Sequence, residues 1–353
     1  MRSLATAAAP PALAALDRAL VAGGASALDP SVPAAVWRRA LAGPAAEFLA
    51  RPGKQLRATI VHAGWALGGG APDAAPERLA LVIELLHAGS LIIDDIEDGS
   101  DERRGGPALH HLVGTPLAIN TGSWMYFWAQ AELGGLGLPE RRELAAHRAT
   151  AAALVRCHQG QALDLATRVP DLDPGDVAAV VAATTRLKTG ALCRLAAELG
   201  AIAAGAPDAV IAATGGFGEA VGTGLQMLDD LGSLASAARR AKGREDLRGG
   251  RPTWPWAWLA LHHPFAWSRL AAAARAVAGD IAGTAGTAST AGTSDREVDG
   301  LADALAAAVG DTGRAQIRST IDTALATLVR AVGASRTTQR IAAELGRMEA
   351  SYG

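Results

Sequence analysis

A largely apolar helical run that ends in a knot of carboxylates sets the first constraint on this chain. Leu79 to Ile93 is followed directly by Asp94-Asp95-Ile96-Glu97-Asp98, and Arg103-Arg104 comes soon after. Read as one helix over 79–98, the spacing puts Asp94 and Asp98 one turn apart on one face. Two like charges there oppose the helix by about 0.2–0.5 kcal/mol, so packing gives no reason for them. Such a pair can instead hold a hard cation, which takes oxygen ligands, and magnesium in turn bridges to phosphate. A solvated helix end is the plainer reading of an acidic run, but these acids are joined to residues that belong in a core. A site is the better reading.

Composition points to an all-α fold. Half of the 353 residues are apolar, Ala and Leu abound, and only two tyrosines occur; β-branched and aromatic residues do not dominate as they do in strands. No strand pattern stands out. A formal net charge of −2 gives no basic stripe for nucleic acid. No stretch reaches the length of a membrane span, and Pro10-Pro11 with Asp17-Arg18 break the Ala-rich start, as in an amphipathic helix rather than a signal peptide. Cys157 and Cys193, read as buried thiols, fit a reducing compartment. A cytoplasmic protein is expected.

Proline and glycine punctuation divides the chain into helices over 12–23, 33–50, from Gly53 to about 67, 79–98, 117–133, 139–167, 174–204, 207 to about 241 and 297–350. Residues 282–294, all small, read as a mobile low-complexity loop in an otherwise single-domain chain, 1–353. A second acidic pair, Asp229-Asp230, closes another apolar run at Gln226-Met227-Leu228. Facing aspartate pairs on two helices of a bundle could hold magnesium between them, since bundle sites are built this way and carboxylates without Cys or His suit magnesium. Magnesium binds together with phosphates, and cations flank both pairs: Lys54, Arg57, Arg103, Arg104, Lys188, Lys242, Arg244, Arg248 and Arg251. Each alone reads as surface; together they read as grips for a diphosphate.

These landmarks carry a resemblance. Gly53-Lys54-Gln55-Leu56-Arg57, His87, Asp94-Asp95-Ile96-Glu97-Asp98, Arg103-Arg104-Gly105, Gly160-Gln161 with Asp164, Lys188-Thr189-Gly190, Gly218-Glu219 to Gln226-Met227-Leu228-Asp229-Asp230, and Gly243 to Pro255 stand in the order found in trans-polyprenyl diphosphate synthases of the polyprenyl synthetase family. The likeness covers about residues 44–260. It implies an isoprenoid-synthase-type helical bundle around a deep apolar cavity, usually a homodimer. It also implies magnesium-dependent condensation of isopentenyl diphosphate with an allylic diphosphate. Asp94, Asp98 and Asp229 would be metal ligands, supported by Asp95 and Asp230. Arg103, Lys188 and Lys242 or Arg251 would hold the allylic diphosphate, with Thr189 and Gln226 lining the reaction centre. Lys54, Arg57, His87 and Arg104 would bind isopentenyl diphosphate.

Two positions depart from the family pattern. Ser233 replaces the last aspartate of the second motif, and Asn120-Thr121-Gly122-Ser123 stands where Gly-Asp is common. Asp229-Asp230-Leu231-Gly232-Ser233 also fits the start of a class I terpene cyclase site, whose closing glutamate is here Ala237. A catalytically silent subunit of a heteromeric synthase would also explain an eroded motif. The cations for a second diphosphate favour chain elongation. Small Gly89 and Ser90 ahead of Asp94 favour a product longer than farnesyl, whereas Trp124, Tyr126, Phe127 and Trp128 could cap the cavity; geranylgeranyl diphosphate is the expected product.

Overall fold

Leucine and alanine lose little freedom on becoming helical, and in the computed structural model every described element except one short hairpin is a helix. The structure describes residues 16, 28–53, 56–71, 74–75, 77–236, 239–278 and 294–352. The helices are α1 (Ala34–Trp37), α2 (Gly43–Leu49), α3 (Leu56–Leu67), α4 (Glu77–Glu97), α5 (Leu109–Val113), α6 (Thr115–Gly134), α7 (Glu140–Ala166) and α8 (Pro174–Thr185). They continue with α9 (Ala191–Ala204), α10 (Asp208–Ala235), α11 (Arg240–Arg248), α12 (Trp254–His262), α13 (Pro264–Ala278), α14 (Asp295–Val332) and α15 (Arg336–Tyr352). None is long and apolar enough to cross a membrane.

Periodicity located α4, α6 and α7 within two residues at each end, the end of α3, and 33–50 as one helical run; α5, α12 and α13 were not anticipated. The expected first helix, 12–23, and residues 282–293 of the low-complexity stretch lie outside the described residues. Ser294, last of that stretch, caps α14 in a reciprocal box with Glu297, the arrangement that satisfies two otherwise orphaned amide groups. Three expectations need correction. The run 174–204 is broken by a π-helical turn, Arg186–Gly190. The run 207–241 ends at Ala235, and α11 begins only at Arg240. The tail divides at Gly333, whose φ of 81° suits glycine alone among common residues.

Two compact units form: Leu195–Ile211 with the described residues up to Ala151, and Ala152–Arg194 with the described residues from Ala212 onward. In the first, α4 packs chiefly on α6. Their crossing is close because glycines meet there: a Cβ on Gly89 would lie 2.6 Å from the Gly122 carbonyl oxygen. Gly89 is therefore small for packing, and its size says nothing about a product cavity. Trp128 of α6 is buried, its indole N–H donating to Glu132, which also pairs with Arg78. Phe127 is 74% exposed, so the four aromatics of α6 do not act as one group. A second close approach sets α3 on α9, where a Cβ on Gly64 would lie 2.1 Å from the Ala197 carbonyl oxygen.

In the second unit α12 packs on α8 and α14. Trp256 and Trp258 are fully buried and Trp254 and Trp267 nearly so, so these tryptophans are mainly core. Gly313 admits the Trp258 ring, which a Cβ would meet at 2.5 Å.

Replacing Gly89 by Ala should destabilise the protein by about 1–3 kcal/mol, the usual penalty for overpacking, read as a lower thermal midpoint. A midpoint equal to that of the wild type would contradict the close α4–α6 crossing.

Candidate active site

The first acidic motif ends α4, where consecutive residues rotate about the helix axis and so meet different surroundings. Asp95 is fully buried, while Asp94 and Asp98 are partly exposed. The Asp98 amide donates to the Asp94 carbonyl at 2.8 Å, carrying helical geometry one residue beyond Glu97. The one-turn spacing of Asp94 and Asp98 is as expected. Burial raises the Asp95 carboxyl above its ordinary range, and the Arg103 hydrogen bond opposes this. Arg103 donates from Nε to Asp95 Oδ1 at 2.6 Å, and its Nη2 stands 3.6 Å from Asp94. Asp95 Oδ2 is buried with no hydrogen-bond partner among the described residues.

Arg103 reaches α4 from a hairpin that the sequence did not announce. Strands β1 (Glu102–Arg103) and β2 (Gly106–Pro107) pair antiparallel. Arg104 and Gly105 between them have φ of 51° and 78°, the pattern of a type I′ turn. Arg104 points back toward α4, its Nη2 3.4 Å from Glu84 and its guanidinium 5.5 Å from the Phe48 ring. Around His87 gather Arg57, Arg104 and Arg103; desolvation first, then these three charges, hold its imidazole well below the usual range, so it is neutral. Arg57 Nε is buried without a partner among the described residues. An unpaired guanidinium N–H beside further arginines calls for an anion. Lys54, expected here, lies outside the described residues.

The second motif shows the same division between neighbours. Asp229 is 45% exposed and 3.2 Å from Arg239, whereas Asp230 is buried. Burial pushes the Asp230 carboxyl up to about 7, against the lowering effect of hydrogen bonds from the Trp254 amide and Gln226. Those bonds measure 3.0 and 2.8 Å, and the Thr189 hydroxyl donates to the Gln226 carbonyl oxygen at 3.0 Å. Thr189, Gln226, Asp230 and Trp254 thus form one chain of hydrogen bonds, which fixes the Gln226 amide. Trp254 is a member that sequence reasoning missed, because its contribution is a backbone N–H. Ser233 is buried, its hydroxyl donating to the Asp230 carbonyl at 2.8 Å. A Cβ on Gly243 would lie 2.4 Å from the Ser233 carbonyl oxygen. The serine is a packed position beneath α11, not an open ligand place.

The structure sorts the basic residues of this unit. Lys188 and Arg251 converge on Asp164, at 2.7 and 3.8 Å, leaving a net positive pair. Lys188 and Thr189 sit on the π-turn Arg186–Gly190, a local distortion frequent at functional sites. Lys242 stands 3.5 Å from buried Asp246, whose charge holds the ammonium above its usual range. Arg244 and Arg248 are spent elsewhere: Arg244 grips Asp299 through two nitrogens at 2.8 and 2.6 Å, and Arg248 pairs with Asp295. Their reading as diphosphate grips is corrected. They are rungs joining α11 to α14.

Among the described residues no three His, Cys, Asp or Glu side chains are gathered to hold a metal ion. The partly exposed carboxylates of Asp94 and Asp98, one turn apart, nevertheless suit magnesium, which keeps waters and uses one or two carboxylates plus substrate phosphates.

A family model described as polyprenyl synthetase matches residues 38–269. A curated relative, geranylgeranyl pyrophosphate synthase 2 of Zymoseptoria tritici, is 34% identical over 219 residues, 61% of this chain and 63% of that protein. The chain thus spans about three fifths of the length of that relative. Among solved structures, geranylgeranyl pyrophosphate synthase from Lactobacillus brevis aligns over 96% of this chain and 95% of its own, with 25% identity and a TM-score of 0.70. Heptaprenyl diphosphate synthase from Staphylococcus aureus covers 96% of both chains at 17% identity and a TM-score of 0.73. The fold is shared by proteins named for different product lengths.

The raised Asp230 carboxyl has a measurable consequence. In the folded protein it keeps its proton up to about pH 7, whereas the unfolded chain releases it near pH 4. Asp230 therefore subtracts stability progressively as pH rises from about 4 to 7, by at most about 1.4 kcal/mol per unit, and no further above. Asp230→Asn does not titrate. Thermal midpoints taken with chelator present should shift in favour of the Asn variant between pH 5 and 8; a difference independent of pH would contradict the raised value.

Proposed function

This chain belongs to the polyprenyl synthetase family, and we propose that it is a magnesium-dependent trans-prenyltransferase. It condenses isopentenyl diphosphate with an allylic diphosphate to give geranylgeranyl diphosphate. The carbon–oxygen bond of the allylic diphosphate ionises, the isopentenyl double bond attacks the cation, and a proton leaves to form a trans double bond. Asp94, Asp98 and Asp229 would hold magnesium, whose charge stabilises the departing diphosphate. Lys188 and Arg251, held together by Asp164, bind the allylic diphosphate with Lys242 and Arg103. Thr189 and Gln226 line the reaction centre, their hydrogen bonds already fixed on Asp230. Arg57, His87 and Arg104, with Lys54, bind isopentenyl diphosphate.

The observation that carries this reading is the group of arginines beside His87, where Arg57 Nε is buried without a partner among the described residues and Arg104 lies 3.4 Å from Glu84. A terpene cyclase handles one diphosphate and has no use for it. The buried, hydrogen-bonded Ser233 also weakens the silent-subunit reading, because the departure is accommodated by packing. Support for the geranylgeranyl product comes from the names of the relatives, such as that from Zymoseptoria tritici. A homodimer is part of the proposal: Ile119 and Phe127 of α6 and Leu144 of α7 leave apolar surface exposed. The thiols of Cys157 and Cys193, which are not disulfide-bonded, accord with a cytoplasmic setting.

Incubation with labelled isopentenyl diphosphate plus dimethylallyl, geranyl or farnesyl diphosphate should yield longer diphosphates, ending at twenty carbons. Asp94→Ala should lower turnover by about a hundredfold or more while leaving the fold intact. Hydrocarbons or alcohols from a single allylic substrate, or full turnover in Asp94→Ala, would overturn the proposal.

A further inference from the structure

The hairpin that carries Arg103 and Arg104 cannot hold its own shape. Its strands are two residues each, and an isolated two-stranded hairpin is marginal in water. Its turn also places Arg104 at a φ of 51°, in the left-handed region that residues other than glycine resist. Something outside the hairpin must fix it.

Arg51, two residues past α2, is placed to do so. Its Nη1 donates to the Arg103 carbonyl at 2.8 Å and its Nη2 to the Pro107 carbonyl at 2.7 Å, one acceptor on each strand. Glu47, one turn back, receives Nε at 3.1 Å and Nη2 at 2.8 Å, which aims the guanidinium. The side chain is only 7% exposed and lies 5.5 Å from the Phe48 ring, the same ring that Arg104 approaches at 5.5 Å. The planar fork of arginine reaches two carbonyls and a carboxylate at once; a lysine ammonium on a flexible stem cannot.

We propose that Arg51 is a positioning residue that staples this hairpin, so that Arg103 meets the first aspartate motif and Arg104 meets the second diphosphate. Arg51 itself touches neither substrate. The roles of Arg103 and Arg104 rest on the function proposed above; the staple does not.

Arg51→Lys and Arg51→Ala test this in the full chain, with circular dichroism and thermal midpoint as checks of the fold. Amide hydrogen exchange should speed up by about tenfold across 102–107, the loss of one to two charge-assisted hydrogen bonds, and stay unchanged in α4 and α6. Inorganic diphosphate, titrated calorimetrically without added metal, should bind about tenfold more weakly to either variant. In turnover the KM for isopentenyl diphosphate should rise about tenfold with kcat changed far less. Wild-type exchange at 102–107, or exchange and melting altered throughout the unit, would overturn the staple. If the wild type turns over no substrate pair, the function proposed above fails, while exchange and diphosphate binding still decide the role of Arg51.

Discussion

The pairing of Arg103 with buried Asp95 is the constraint from which the first half of the site follows. A carboxylate removed from water is tolerated only when a cation and hydrogen bonds meet it, and removing such a partner costs about 3–5 kcal/mol. Asp95 is wholly buried and Arg103 meets it, so the end of α4 and the hairpin are bound to each other. Because Asp95 is neutralised from within, Asp94 and Asp98 stay at the partly exposed helix end, where carboxylates can serve a ligand. The same hairpin turns Arg104 toward His87, where burial first and the arginines second keep the imidazole neutral.

Asp229 and Asp230 repeat the principle with different means. Neighbours on a helix face directions about 100° apart, so one of two adjacent aspartates can be buried while the other meets solvent. In α4 the buried member is answered by a guanidinium; in α10 it is answered by the Trp254 amide and Gln226 and keeps a proton near neutral pH. A paired aspartate motif is thus two unlike groups. One anchors the helix, and the other is available for chemistry.

Periodicity and punctuation made the long helices legible, because the apolar stripe and the proline and glycine stops are local signals. The motifs that mark the proposed site are local signals of the same kind. The hairpin 102–107 was not, since a two-residue strand has no alternation and its turn is made by Arg104-Gly105. Arg51 was invisible because its acceptors are backbone carbonyls more than fifty residues away. Arg244 and Arg248 were misread because Asp295 and Asp299 lie far along the chain. Gly89 was misread because a small residue beside a site serves a cavity or a helix crossing equally well; only Gly122 decides between them.

On the proposed function, the first aspartate motif would be an incomplete metal site that a diphosphate completes. Titration of manganese, as a spectroscopic substitute for magnesium, into the protein with and without inorganic diphosphate tests this directly. Weak binding of the metal alone, strong binding once diphosphate is present, and loss of the strong phase in Asp94→Ala are expected. Tight metal binding without diphosphate, or a strong phase that survives Asp94→Ala, would contradict it.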